Sequence, residues 1–129
     1  MWSQIVKQLI KTAVSKGIKF RWATKDQLKG AMGIYNKINK TIVIQKGMSL
    51  KETEETITHE IAHALWDLSL VGKQVKRANL KRMKLSTNLP TWLNLLLNYK
   101  WNKDTWEEER FAYYMESRPS LVLHLLNQL

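Results

Sequence analysis

Two histidines four residues apart, with a glutamate directly after the first, form the segment His59-Glu60-Ile61-Ala62-His63. On a helix, residues four apart lie one turn above each other on one face. Two imidazoles at that spacing can therefore grip one metal ion at about 2.0–2.1 Å. Glu60 can point at water on that ion without being a ligand. A divalent ion lowers the pKa of its water towards about 7, and a neighbouring carboxylate can take the proton, leaving a nucleophile for a polarised carbonyl. The chain has three histidines, and two of them stand in this pattern. The chemistry implied is metal-assisted hydrolysis of an amide bond, with His59 and His63 as ligands and Glu60 as general base.

A catalytic zinc takes three protein ligands and keeps one position open. Six residues after His63 stands Ser69, so the extended pattern with a third histidine is absent. With no cysteine in the chain, thiolate zinc sites, iron–sulfur clusters and disulfides are excluded, and the third ligand must be a carboxylate or the last histidine. Trp106-Glu107-Glu108-Glu109-Arg110-Phe111-Ala112-Tyr113 offers carboxylates on a later helix, where small Ala112 permits close approach. Glu109 shares a face with Ala112 and Tyr113, and Glu108 with Phe111, Ala112 and Met115. Glu109 is the first candidate and Glu108 the alternative. His124 lies among Leu123, Leu125 and Leu126, a setting in which a histidine more often packs or hydrogen-bonds than ligates. Tyr113 or Tyr114 could donate a hydrogen bond to the oxyanion of a tetrahedral intermediate.

The elements that must position these groups follow from the pattern. Apolar Ile5, Val6, Leu9, Ile10, Ala13 and Val14 predict a helix over 2–16 that stops at Gly17. Alternation over Ile18–Trp22 predicts a strand, and a hairpin follows from 31–35 and 40–45 around Asn36-Lys37-Ile38-Asn39. Ser49 with Glu52 reads as a capping box opening a helix that runs to about Leu70. Its Ile57, Ile61, Ala64, Leu65 and Leu68 form one apolar face. His59, Ala62, His63 and Trp66 lie roughly opposite, so both faces should be covered and the helix central. Pro90 marks a boundary before a short helix over 91–101. Another helix begins at Asp104 or Thr105 and ends near Glu116, and Pro119 opens a last leucine-rich one. The expectation is a small α+β domain over 1–129, mostly helical, with a short antiparallel or mixed sheet of about three strands before the histidine-bearing helix.

Composition limits the setting. A hydrophobic fraction of 44% is too apolar for a disordered chain despite the net charge of +10. No apolar run approaches the roughly 20 residues of a spanning helix, and Met1–Lys7 lacks the features of a signal peptide, which predicts a cytoplasmic protein without membrane contact. The excess of Lys and Arg, including Lys73, Lys76, Arg77, Lys81, Arg82 and Lys84, suggests an anionic partner such as nucleic acid or an acidic protein surface. The alternative reading is accordingly a basic binding module with a structural or vestigial metal.

The hairpin ending in Thr41-Ile42-Val43-Ile44, the acidic helix start, His59-Glu60-Ile61-Ala62-His63 and the later Glu-rich helix containing Phe111-Ala112 together resemble a minimal gluzincin. The likeness is closest to the ImmA/IrrE-type metallopeptidases of bacteria and their mobile elements, over roughly residues 18–116. The resemblance implies one Zn²⁺ ion, a hairpin bordering the cleft, an extended protein substrate laid along its edge strand, and a substrate drawn from regulatory or phage-related proteins.

Overall fold

Ser3 starts the first helix. In the computed structural model, which describes residues 2–68 and 103–129, the Ser3 hydroxyl accepts from the Val6 amide at 3.4 Å, and α1 runs Gln4–Ser15. The Ser3 amide and hydroxyl also donate to the Glu54 carboxylate at 2.7 and 2.6 Å, tying this end to the central helix. Val6, Leu9 and Ala13 face the core, and Gly17, at φ +91°, reverses the chain where a side chain would be strained.

Three strands follow: β1 Lys19–Ala23, β2 Gly33–Asn36 and β3 Thr41–Gln45. The hairpin expected between β2 and β3 is present and antiparallel, with the Asn36 carboxamide oxygen accepting from the Ile38 amide at 2.9 Å to fix the turn. β1 pairs parallel to β3 on its other side, so the sheet is mixed with order β1-β3-β2. Side chains alternate across it. Phe20, Ile42 and Tyr35 share one row on the core face, and Trp22, Ile44 and Gly33 share the next. Arg21, Val43 and Ile34 share a row on the other face, where Val43 is covered by Leu28 of the β1–β2 loop.

Helix α2, Leu50–Leu68, forms the hub. The Ser49 hydroxyl accepts from the Glu52 amide at 3.2 Å, as a helix cap does. The Glu52 carboxylate takes the Ser49 hydroxyl proton at 2.9 Å instead of reaching the Ser49 backbone amide. Both faces of α2 are covered: Ile57, Ile61, Ala64 and Leu65 are fully buried, and so are Ala62 and His63. On one side lies the sheet, on others α1, α3 (Lys103–Met115) and α4 (Pro119–Leu126). Phe111, Ala112 and Met115 of α3 are wholly buried in the same core. The domain is thus α+β, with four helices and one three-stranded mixed sheet among the described residues. No helix among them is long and apolar enough to cross a membrane. The helix predicted over 91–101 and the basic run Lys73, Lys76, Arg77, Lys81, Arg82 and Lys84 lie outside the described residues.

Gly33 sets how closely strand and helix meet. A Cβ there would stand 2.7 Å from Thr56 Cγ2 and 3.1 Å from Glu60 Cγ, both on α2. The strand edge can therefore lie directly over the turn that carries Glu60. Replacing Gly33→Ala should destabilise the fold by about 1–3 kcal/mol, lowering the melting temperature by roughly 4–12 °C. An unchanged melting temperature in a calorimetric scan would mean that β2 can back away without loss.

Candidate metal centre

The α2 helix presents His59, Glu60 and His63 on the side that faces α3 and the edge strand β2. Each of the three offers a ligand atom, and those atoms lie within 4.8 Å of one another. The rings stand edge to face with centroids 5.0 Å apart. Glu109 of α3 arrives between them, its two carboxylate oxygens 3.1 Å from His63 Nε2 and 3.6 Å from His59 Nε2. The Nδ1 atoms are held from outside: His63 Nδ1 lies 2.6 Å from the Glu108 carboxylate and His59 Nδ1 lies 3.0 Å from that of Glu116. Both imidazoles thus turn Nε2 towards the same carboxylate while a second carboxylate fixes each ring.

That donor set fits a metal ion. Ligand histidines characteristically give their other nitrogen to a carboxylate, which fixes ring orientation and raises basicity. Glu60 is 6% exposed, and no hydrogen bond or ion pair engages it among the described residues. A buried carboxylate without a partner is unfavourable unless a cation or water meets it. The four groups line a cleft of about 590 Å³ together with Met32, Gly33 and Tyr35 of the edge-strand segment and Glu52 and Glu55 at the start of α2.

Electrostatics follow from this crowding. Burial alone would push His59 and His63 down. Hydrogen bonds that His59 donates to Glu109 and Glu116, and His63 to Glu108 and Glu109, outweigh it and raise them to about 9 and about 10. Burial pushes Glu60 up against the opposing pull of the two histidines. Burial acts in the same direction on Glu109, but the two imidazoles override it and hold the carboxyl at about 2. Glu108 is also lowered: burial opposes, while His63 and Lys37 prevail. Lys37 reaches from the β2–β3 turn to Glu108 at 3.2 Å, and the Tyr35 hydroxyl donates to the Asp67 carboxylate at 3.0 Å, so both ends of the site are tied to the hairpin.

The residues expected from the sequence separate clearly. His59, Glu60, His63, Glu108 and Glu109 converge, with Glu109 and Glu108 occupying different nitrogens of the same histidine. Tyr113 lies in the cleft wall, edge-on to His59 at 4.7 Å, whereas Tyr114 is buried under the Arg118 guanidinium at 3.9 Å and lines no part of the cleft. His124 is exposed on α4, its Nε2 3.0 Å from the Gln128 amide, and takes no part. Sequence reasoning missed Glu116. Its signal was the spacing of seven from Glu109, two helical turns on one face. No protein-family model, curated protein or solved structure matches this chain.

In the metal-free protein the histidine partnerships stabilise the fold fully below the ordinary histidine pKa and are lost as pH rises through about 9–10. The Glu109 contribution is present above the ordinary carboxyl pKa and lost as pH falls towards 2. At neutral pH an incoming ion must therefore displace a proton from each ring. Calorimetric titration with Zn²⁺ or Co²⁺ in buffers of different ionisation enthalpy should show release of about two protons per ion at pH 7. Release of none would contradict coordination by these imidazoles.

Proposed function

We propose that this protein is a zinc-dependent endopeptidase of the cytoplasm acting on a protein substrate, in which His59, His63 and Glu109 hold the ion and Glu60 is the general base. The observation that carries the reading is the pair of inward-facing Nε2 atoms, each ring fixed from behind by a carboxylate, beside a buried, unengaged Glu60. A zinc ion in that position supplies Lewis acidity and lowers the pKa of water. Glu60, pushed up by burial, is suited to take the proton of the attacking water and then deliver it to the departing amine. Glu108 and Glu116 hold the rings as charge develops. Tyr113 stands at the cleft wall, 36% exposed, where its hydroxyl can donate to the developing oxyanion.

The edge strand supports a peptide substrate. Among the described residues β2 pairs only with β3, and its Gly33–Tyr35 segment lines the same cleft as His59 and His63. An extended chain added alongside β2 would receive backbone hydrogen bonds and lie over the Glu60 turn. This arrangement agrees with the resemblance to ImmA/IrrE-type metallopeptidases, which points to a regulatory or mobile-element protein as the substrate.

The zinc-loaded protein should hydrolyse members of a mixed-sequence, fluorescence-quenched peptide pool. Glu60→Gln should retain zinc by elemental analysis and lose about 10²–10⁴-fold in rate. Undiminished cleavage by that variant, or no cleavage by the loaded wild-type protein across the pool, would sink the proposal. Tyr113→Phe should lower kcat by about 10²-fold with little change in KM. An equal loss in the two parameters' ratio arising from KM alone would assign the ring to substrate binding instead.

A further inference from the structure

Basic residues dominate the first part of the chain. Residues 1–51 contain eleven Lys and Arg against the single acid Asp26, and the other ten of the eleven acidic residues fall within 52–67 and 104–116. Glu60, Glu108, Glu109 and Glu116 gather on the cleft side. On the opposite face Lys19 and Arg21 project from β1, two residues apart and therefore on the same side. The Lys19 amide donates to the Lys40 carbonyl at 2.9 Å, which brings Lys40 alongside one end of that strand. The Lys46 amide donates to the Ala23 carbonyl at 2.8 Å, which brings Lys46 to the other. The β1–β2 loop, seated on Ala23 and Val43 through Leu28 and Ala31, adds Lys25 and Lys29.

All six of these cations are exposed, and none forms an ion pair with a carboxylate among the described residues. Lys19 and Arg21, with the flanking backbones of Lys40 and Lys46, follow the outer edge strand over about 20 Å, at the rise of about 3.3 Å per strand residue. Exposed Thr24 and Asn39, and half-buried Gln45, lie between them as hydrogen-bond donors.

We infer that this band binds the phosphate backbone of duplex nucleic acid. A row of unpaired cations interspersed with hydroxyl and amide donors is the composition of a phosphate-contacting surface. The backbone positions run along one edge strand, which suits a linear polyanion. A protein interface has an apolar centre with charge at the rim, and a membrane-docking face inserts apolar side chains. Here the exposed isoleucines Ile34 and Ile38 sit on β2 and in the hairpin turn, at the margin of the band. Trp22, 44% exposed on the same strand, points to the opposite face from Arg21, its ring 5.8 Å from that of Trp2. With its nearest ring turned to the opposite face of β1 and set against Trp2, the basic side favours a duplex over a single strand. This inference stands apart from the metal centre, and its test uses no peptidase readout.

Fluorescence anisotropy of the full chain with a labelled 20-base-pair DNA duplex, and with the matching RNA duplex, should show binding of both at 50 mM salt. Affinity should fall about 10²-fold by 200 mM, as expected for roughly four phosphate contacts. The variant Lys19→Gln/Arg21→Gln/Lys40→Gln should bind at least tenfold more weakly, with the slope of log affinity against log salt reduced by about 2–3. The control Lys7→Gln/Lys11→Gln/Lys51→Gln removes equal charge from elsewhere and should stay within about twofold of wild type. Circular dichroism checks both folds. If the first variant does not fold, Arg21→Gln alone should weaken binding about threefold and reduce the slope by about one. The proposal is overturned if both triple variants lose affinity equally, if the sheet variant binds as wild type, if a single strand binds tenfold more tightly than the duplex, or if only vesicles containing phosphatidylserine are bound.

Discussion

The contact on which the site depends is the insertion of one α3 carboxylate between two α2 imidazoles. Helices α2 and α3, with Glu116 just beyond α3, bring six ionisable side chains into a partly dry space, and such groups are tolerated best when each is met by opposite charge or hydrogen bonds. Glu109 satisfies two Nε2 atoms at once, and Glu108 and Glu116 satisfy the two Nδ1 atoms. Removing one member of such a set leaves an uncompensated buried charge, a change that typically destabilises by about 3–5 kcal/mol. The helix packing and the polar cluster therefore specify each other: Phe111, Ala112 and Met115 fix α3 against the core, and that docking decides which carboxylate meets which nitrogen.

Glu60 is the exception within this cluster, more buried than the other carboxylates and yet without a hydrogen bond or ion pair among the described residues. A sequence whose local choices otherwise agree departs from that agreement where chemistry requires it. The departure is supported from the sheet side. Gly33 lets the edge strand approach the Glu60 turn to a distance that any side chain would obstruct, and Lys37 and Tyr35 anchor the hairpin to Glu108 and Asp67. The strand edge and the unpartnered carboxylate are thus held in one place by the same few contacts.

What could be read from the sequence was what depends on local spacing. The i, i+4 histidines, the Ser49 cap, the Gly17 stop, the β2–β3 hairpin and the two-faced burial of α2 all arise from periods of 3.6 and 2 and from turn chemistry, and they appear where expected. Pairings between distant segments were not accessible in this way. The parallel join of β1 to β3 leaves no mark on either strand. Adjacent glutamates at 108 and 109 could not be ranked by helical phase because the fold employs both, one on each nitrogen of His63. Glu116 lay on the Glu109 stripe but outside the acidic run that drew notice. Gly33 gave no signal, since its role is set by Thr56 and Glu60 on another element.

Net charge conceals the arrangement that matters. A value of +10 suggests a uniformly basic particle, but six of the described glutamates, Glu52, Glu55, Glu60, Glu108, Glu109 and Glu116, line the cleft, while Lys19 and Arg21 project from the other face of the sheet. A sheet and the layer packed on it are separated by about 10 Å, and the screening length at physiological salt is about 8 Å. At that separation salt attenuates the field of one face at the other to roughly a third. The basic face therefore weakens the negative potential of the cleft only in part, and the cleft weakens the positive potential of the basic face only in part. Each surface consequently keeps a potential of its own sign, which a chain with the same composition but interspersed charges would not have.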